Sequence, residues 1–103
     1  MRNLSTAEWK KEIQQEDAVI IDVRTPEEYN NGYIPQSKLI NIQNPSGFTE
    51  AIEALDKTKP YYIYCRSGKR SMLACQVMEN LGFSEVANLN GGILDWDGEI
   101  KQP

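Results

Sequence analysis

The chain has 103 residues, of which 40% are apolar and 25% charged, with a formal net charge of −4. That balance fits one globular domain over residues 1–103 and excludes collagen-like, coiled-coil and wholly disordered chains. There is no histidine and there are two cysteines, Cys65 and Cys75, so the chain holds no Ser-His-Asp or Cys-His pair, no His or four-Cys zinc site and no disulfide scaffold.

Any chemistry must therefore come from Cys, carboxylates, Lys, Arg or Tyr. The negative charge argues against generic nucleic-acid binding. The aliphatic run Ala18 to Ile21 is too short to cross a membrane. Met1 to Glu8 lack the apolar stretch of a secretory leader. Two free cysteines without a leader lead us to expect a reducing cytoplasm.

In chain order, Ser5-Thr6-Ala7-Glu8 fits a capping box, and Trp9 and Ile13 follow at helical spacing. Ala18 to Val23 reads as a buried strand. Thr25-Pro26-Glu27-Glu28 is a second capping box with Pro at the first helical position, and Gly32 ends that short helix. Leu39 to Ile42 reads as a strand, and Phe48 to Leu55 as a helix. Tyr61 to Cys65 is a second buried strand. A helix from Lys69 to Leu81 follows, with Leu73, Val77 and Leu81 on one face and Gly82 as its stop. Glu85 to Leu89 is another strand, and Ile93 to Trp96 a last short helix. Strands alternating with helices predict a doubly wound α/β domain, its sheet mainly parallel with helices on both faces. Ligands of such sheets bind beyond the carboxyl ends of the strands. Asp22-Val23-Arg24 and Cys65 both fall there.

The segment Cys65-Arg66-Ser67-Gly68-Lys69-Arg70-Ser71 carries the chemistry. A buried strand delivers the cysteine, a polar loop with one Gly turns, and a helix begins. Such a loop can aim several backbone N–H groups inward as an anion nest at a helix N-terminus. Arg66, Lys69 and Arg70 put three of the eleven basic residues within five positions, which asks for an anionic partner. An ordinary thiol titrates near ~8.5, and bringing it to neutrality takes about 2 kcal/mol. A helix N-terminus supplies roughly 0.3–1 kcal/mol, and up to ~2 when partly buried. Loop donors and cations supply the rest, so Cys65 needs no histidine base. Cys75, in mid-helix among Leu73, Ala74 and Val77, reads as a packing residue.

These residues resemble the rhodanese-like family, in particular its small single-domain members, from about Leu4 to Gly98. Three blocks carry the resemblance. They are Ile21-Asp22-Val23-Arg24-Thr25-Pro26-Glu27-Glu28-Tyr29 with Gly32-Tyr33-Ile34-Pro35 and Asn41-Ile42; Cys65 to Ser71; and Asn90-Gly91-Gly92-Ile93-Leu94-Asp95-Trp96. The family usually reads Gly-His-Ile-Pro-Gly-Ala where this chain has Gly32-Tyr33-Ile34-Pro35-Gln36-Ser37. Without the second Gly, the turn is expected to differ locally. The missing His is not part of the family's sulfur chemistry.

The resemblance implies that Cys65 takes a sulfane sulfur from an anionic donor such as thiosulfate and passes it, as a persulfide, to cyanide, a thiol or a protein cysteine. It implies no metal, nucleotide or other cofactor. Loop N–H groups from Arg66 to Ser71 would cradle the persulfide. Arg66 and Lys69 are assigned to donor attraction, and Arg70 to loop bracing or anion contact. Asp22 and Arg24 are read as framework residues, Glu28 as a capping carboxylate and Gly91-Gly92 as a turn beside the loop. Trp9 and Trp96 read as packing residues. Tyr61, Tyr62 and Tyr64 read as strand residues, one of them a candidate to line the pocket. Nucleic-acid and membrane partners are not expected, and no large apolar stripe is left over, so a monomer is.

Two other classes compete. A cysteine phosphatase or arsenate reductase usually places Arg six positions after its Cys; here that position is Ser71, and Arg70 lies at five. A smaller loop suits sulfur better than phosphate. A non-catalytic binding module typically lacks the cysteine that this chain retains. A persulfide carrier with slow turnover stays open as a relative of the enzyme.

Overall fold

The computed structural model describes residues 1–103. Five strands form one parallel sheet: β1 (Arg2–Leu4), β2 (Val19–Asp22), β3 (Lys38–Leu39), β4 (Pro60–Tyr64) and β5 (Glu85–Leu89), in the spatial order β1-β5-β4-β2-β3. Between them run α1 (Thr6–Glu12), α2 (Pro26–Asn30), α3 (Pro45–Glu53) and α4 (Lys69–Asn80), and a 3₁₀ turn, Gly92–Asp95, follows β5. From β2 the chain winds outward to β3, then returns to the other side of β2 for β4 and β5. The direction reverses between β2 and β4, whose register pairs Asp22 with Tyr64. The carboxyl ends of these strands are the switch point of the sheet, where a ligand crevice opens.

Period-2 alternation divides the sheet between two cores. Ile21, Ile63 and Cys65 face α3 and α4, packing with Phe48, Ile52, Ala74, Cys75 and Met78. Ile20, Tyr62 and Tyr64 face the other way, onto Trp9 of α1. Trp9 is fully buried and meets Tyr62, Tyr64 and Trp96 edge-to-face at 6.1, 6.0 and 5.5 Å. The expected packing roles of both tryptophans hold. Both predicted capping boxes are present, Ser5 with Glu8 and Thr25 with Glu28.

Several expectations need correction. β1 carries no periodic signal, since only Leu4 of its three residues is buried, and it was not foreseen. The strand expected over Leu39–Ile42 is regular only at Lys38–Leu39. Ile40 and Ile42 still donate to the carbonyls of Asp22 and Val23 at 2.9 and 3.1 Å, but outside ladder geometry. α3 starts three residues before Phe48, because Asn44 caps it through the Gly47 N–H and Pro45 takes the first position. Leu73 is not on the buried face of α4: it is 55% exposed, and Ser71, Ala74, Cys75 and Met78 face the sheet. Small residues there let α4 approach β4 closely. At the turn after α2, Gln36 takes the left-handed backbone that glycine favours, with φ 68°. A glycine-type conformation is thus held by a glutamine, at roughly 1–2 kcal/mol. No helix is long and apolar enough to cross a membrane.

Candidate active site

Cys65 directly follows β4 and is itself fully buried. Its Sγ accepts the Gly68 N–H at 3.1 Å and the Ser71 hydroxyl at 3.3 Å. Gly68 is the N-cap of α4 and offers the helix no side-chain acceptor. The cysteine sulfur stands where a capping oxygen would, against the free N–H groups and positive end of the helix. Burial pushes the Cys65 thiol up. The Ser71 hydroxyl and the N–H groups of Ser71, Gly68 and Ser67 outweigh it, and the net displacement is downward.

The loop's carbonyls are tied outward, which keeps its N–H groups on the sulfur side. The Cys65 carbonyl accepts from Ile93 N–H at 2.9 Å and the Arg66 carbonyl from Leu94 N–H at 3.2 Å. The Gly68 carbonyl accepts from Met72 N–H at 3.1 Å and from Asn88 Nδ2 at 3.3 Å. Gly92 makes the first of these contacts possible. A Cβ there would lie 2.3 Å from the Arg66 carbonyl oxygen and 2.7 Å from that of Cys65. Gly68 needs its left-handed φ of 99° to turn the chain into α4.

The three loop cations separate by role. Arg70 reaches back to Glu28 with two parallel bonds of 2.7 and 2.8 Å, so it braces the loop against α2. The same bonds, with those from Thr25, hold the Glu28 carboxyl down at about 2. Arg66 and Lys69 are exposed and make no ion pair. Asp22 and Arg24 are buried and bound to each other, with Arg24 Nη2 at 2.7 Å from Asp22 Oδ2 and at 2.8 Å from the Gly32 carbonyl. They brace the switch point. None of Tyr61, Tyr62 and Tyr64 bonds to the loop. Tyr64 accepts the Ile34 N–H and shares a hydrogen bond with Ser37, each at 3.1 Å. Cys75 lies in the α3–α4 core, and burial pushes its thiol up to about 12.

Two positioning residues were not foreseen. Glu28 was read only as a cap, yet it also anchors Arg70 from 42 residues away. Asn88 is a buried amide in β5 that donates to both Asn3 Oδ1 and the Gly68 carbonyl. A polar residue within an otherwise apolar buried strand was the available signal for it.

A parallel sheet whose switch point presents a hydrogen-bonded thiol in a basic helix-capping loop defines a cysteine-centred α/β domain. The model of the rhodanese-like domain matches residues 5–99, and the chain belongs to that family. It is 41% identical to "Putative sulfurtransferase YtwF" of Bacillus subtilis (strain 168), covering 98% of this chain and 95% of that one. A crystal structure of a rhodanese-like domain protein from Staphylococcus aureus superposes with a TM-score of 0.86 at 31% identity, covering 100% of this chain and 99% of that one. The chain is also 34% identical to a tRNA uridine(34) hydroxylase of Pelagibacter ubique (strain HTCC1062), aligning over 97% of this chain but only 33% of that protein. The same domain thus recurs inside longer enzymes.

Proposed function

We propose that the protein is a sulfurtransferase that carries sulfane sulfur on Cys65. The observation that carries this reading is the Cys65 sulfur itself, buried and held by the Gly68 and Ser71 donors at the start of α4. With thiosulfate as donor, the Cys65 thiolate attacks the outer sulfur. The S–S bond of the donor breaks, its electron pair leaves with sulfite, and Cys65 becomes a persulfide. The terminal sulfur keeps the negative charge, which the N–H groups of the loop stabilise without reorganising. Arg66 and Lys69, free of carboxylates, draw the dianion in. Cys65 has no exposed surface, so the donor enters past the exposed Arg66–Ser67 side of the loop. No general base is called for in this scheme, because the donors around Sγ displace the Cys65 thiol downward.

YtwF's name supports the transfer chemistry, and the hydroxylase relative does not oppose it, since it shares only this domain. The phosphatase reading is disfavoured by Arg70: it is committed to Glu28 rather than free to hold a phosphoryl group. Intact-mass spectrometry after brief thiosulfate treatment tests the proposal. The expected result is a gain of one sulfur atom, removed by cyanide and absent in Cys65→Ser. No gain from thiosulfate, polysulfide or a protein persulfide would overturn it.

A further inference from the structure

None of the clefts in the protein is lined by residues 65–71. Arg66, Ser67 and Lys69 of the loop are exposed, while Cys65, Gly68 and Ser71 are buried. A partner therefore meets the exposed rim before it reaches the sulfur.

That rim has a distinct composition. Its two cations, Arg66 and Lys69, are exposed and unpaired, on a protein whose net charge is −4. Beside each stands a leucine. The Leu94 N–H donates to the Arg66 carbonyl at 3.2 Å, which fixes residue 94 against the loop. Leu73 follows Lys69 by one helical turn, and such residues are surface neighbours. Leu94 is 60% exposed and Leu73 is 55% exposed, the two highest values among the large apolar side chains. Neither is used by the fold, and singly exposed leucines need no explanation. Here both most-exposed ones flank the reacting loop, each with an unpaired cation.

Resting on the sulfurtransferase reading, we propose that this rim docks the sulfur acceptor, a protein cysteine in a segment carrying acidic and apolar side chains. The carboxylates meet Arg66 and Lys69, and the apolar side chains cover Leu73 and Leu94. The acceptor thiol gives its proton to solvent, and its thiolate attacks the terminal sulfur of the Cys65 persulfide. The bond from that sulfur to Sγ breaks and its electron pair returns to Sγ. Cys65 is again a thiolate and the acceptor is a persulfide, with no oxidant or reductant consumed.

The test separates loading from discharge. Protein is loaded with thiosulfate, and discharge is followed by intact mass with three cysteine peptides of equal length. One has Asp and Leu around the cysteine, one Lys and Leu, one Asp and Ser; cyanide is the reference acceptor. The Asp–Leu peptide should discharge the protein about tenfold faster than either other peptide, a difference of about 1.4 kcal/mol. Added salt should narrow its lead over the Lys–Leu peptide. The variant Leu73→Ser should lose much of the lead over the Asp–Ser peptide, while loading and cyanide discharge stay at wild-type rates. Equal rates for the three peptides would overturn the proposal. So would a Leu73→Ser variant that slows cyanide as much as peptide, since the leucine would then act on the loop itself. A failure to load from thiosulfate, polysulfide and a protein persulfide alike would instead bring down the sulfurtransferase reading, and this one with it.

Discussion

Cys65 and Cys75 lie ten residues apart and share one core cluster, both without exposed surface. Their thiols are nonetheless displaced in opposite directions, Cys65 downward and Cys75 up to about 12. Burial acts on both and raises both. What differs is the number of donors. Cys65 follows a strand where a helix begins, and the Gly68 N–H and the Ser71 hydroxyl donate to its sulfur. Cys75 sits in the middle of α4, past the first turn, where the backbone N–H groups bond to carbonyls one turn back. The direction in which each thiol is displaced follows helix position more than depth.

The sharpest way to break that contrast is to exchange serine for each sulfur. Cys65→Ser should abolish sulfur uptake in the mass assay. Cys75→Ser should leave uptake within about twofold and lower the melting temperature, because an unpartnered buried hydroxyl costs about 1–3 kcal/mol. A comparable loss of turnover in both variants would end the distinction.

Next in size is Gly92→Ala. Its methyl group cannot occupy space 2.3 Å from the Arg66 carbonyl, so the loop must move and the donors with it. Uptake should fall by about a hundredfold, equivalent to about 2.7 kcal/mol, with circular dichroism reporting a sheet still formed.

Glu28→Gln removes the partner of Arg70 and should slow uptake about tenfold, as expected for loss of one charge-assisted brace. Its stability effect has a defined pH window. The Glu28 carboxyl is depressed to about 2, so its contribution is complete above its unfolded range near ~4.3. It is lost as pH falls through about 2. Chemical denaturation should therefore show wild type more stable than Glu28→Gln at pH 6, with the gap closing toward pH 2.

Ser71→Ala is the mildest test. It deletes one of the donors holding the Cys65 sulfur and should move the pH midpoint of Cys65 alkylation upward. Alkylation at neutral pH should slow severalfold, consistent with about 1 kcal/mol for one hydrogen bond. Cys75 should stay unlabelled in both proteins until they unfold.

Much of this was legible in the residues. A run from Tyr61 to Ser71 that passes from apolar to basic through one Gly carries both the strand end and the helix start. The capping boxes at Ser5 and Thr25 are likewise local, with donor and acceptor three residues apart. The features that escaped are long-range or small. The Glu28–Arg70 bridge joins two helices, and nothing near either residue announces the other. Asn88 acts on Gly68 from 20 positions away. Asn44-Pro45-Ser46-Gly47 has the composition of a turn, and only the cap geometry shows it starting a helix. Leu73 shares one face with Val77 and Leu81 by spacing, but α4 buries Ser71, Ala74, Cys75 and Met78.

The outermost strands bear on how the molecule behaves when crowded. β1 spans three residues and β3 spans two, and each begins with an exposed cation, Arg2 and Lys38. A neighbouring chain seeking to extend the sheet finds almost no register to copy and a charge to bury at the first step. The three inner strands, β5, β4 and β2, are sheltered behind these borders. Edge-to-edge stacking into fibrils is therefore discouraged at both sides of the sheet, and concentration can rise without templating a cross-β assembly.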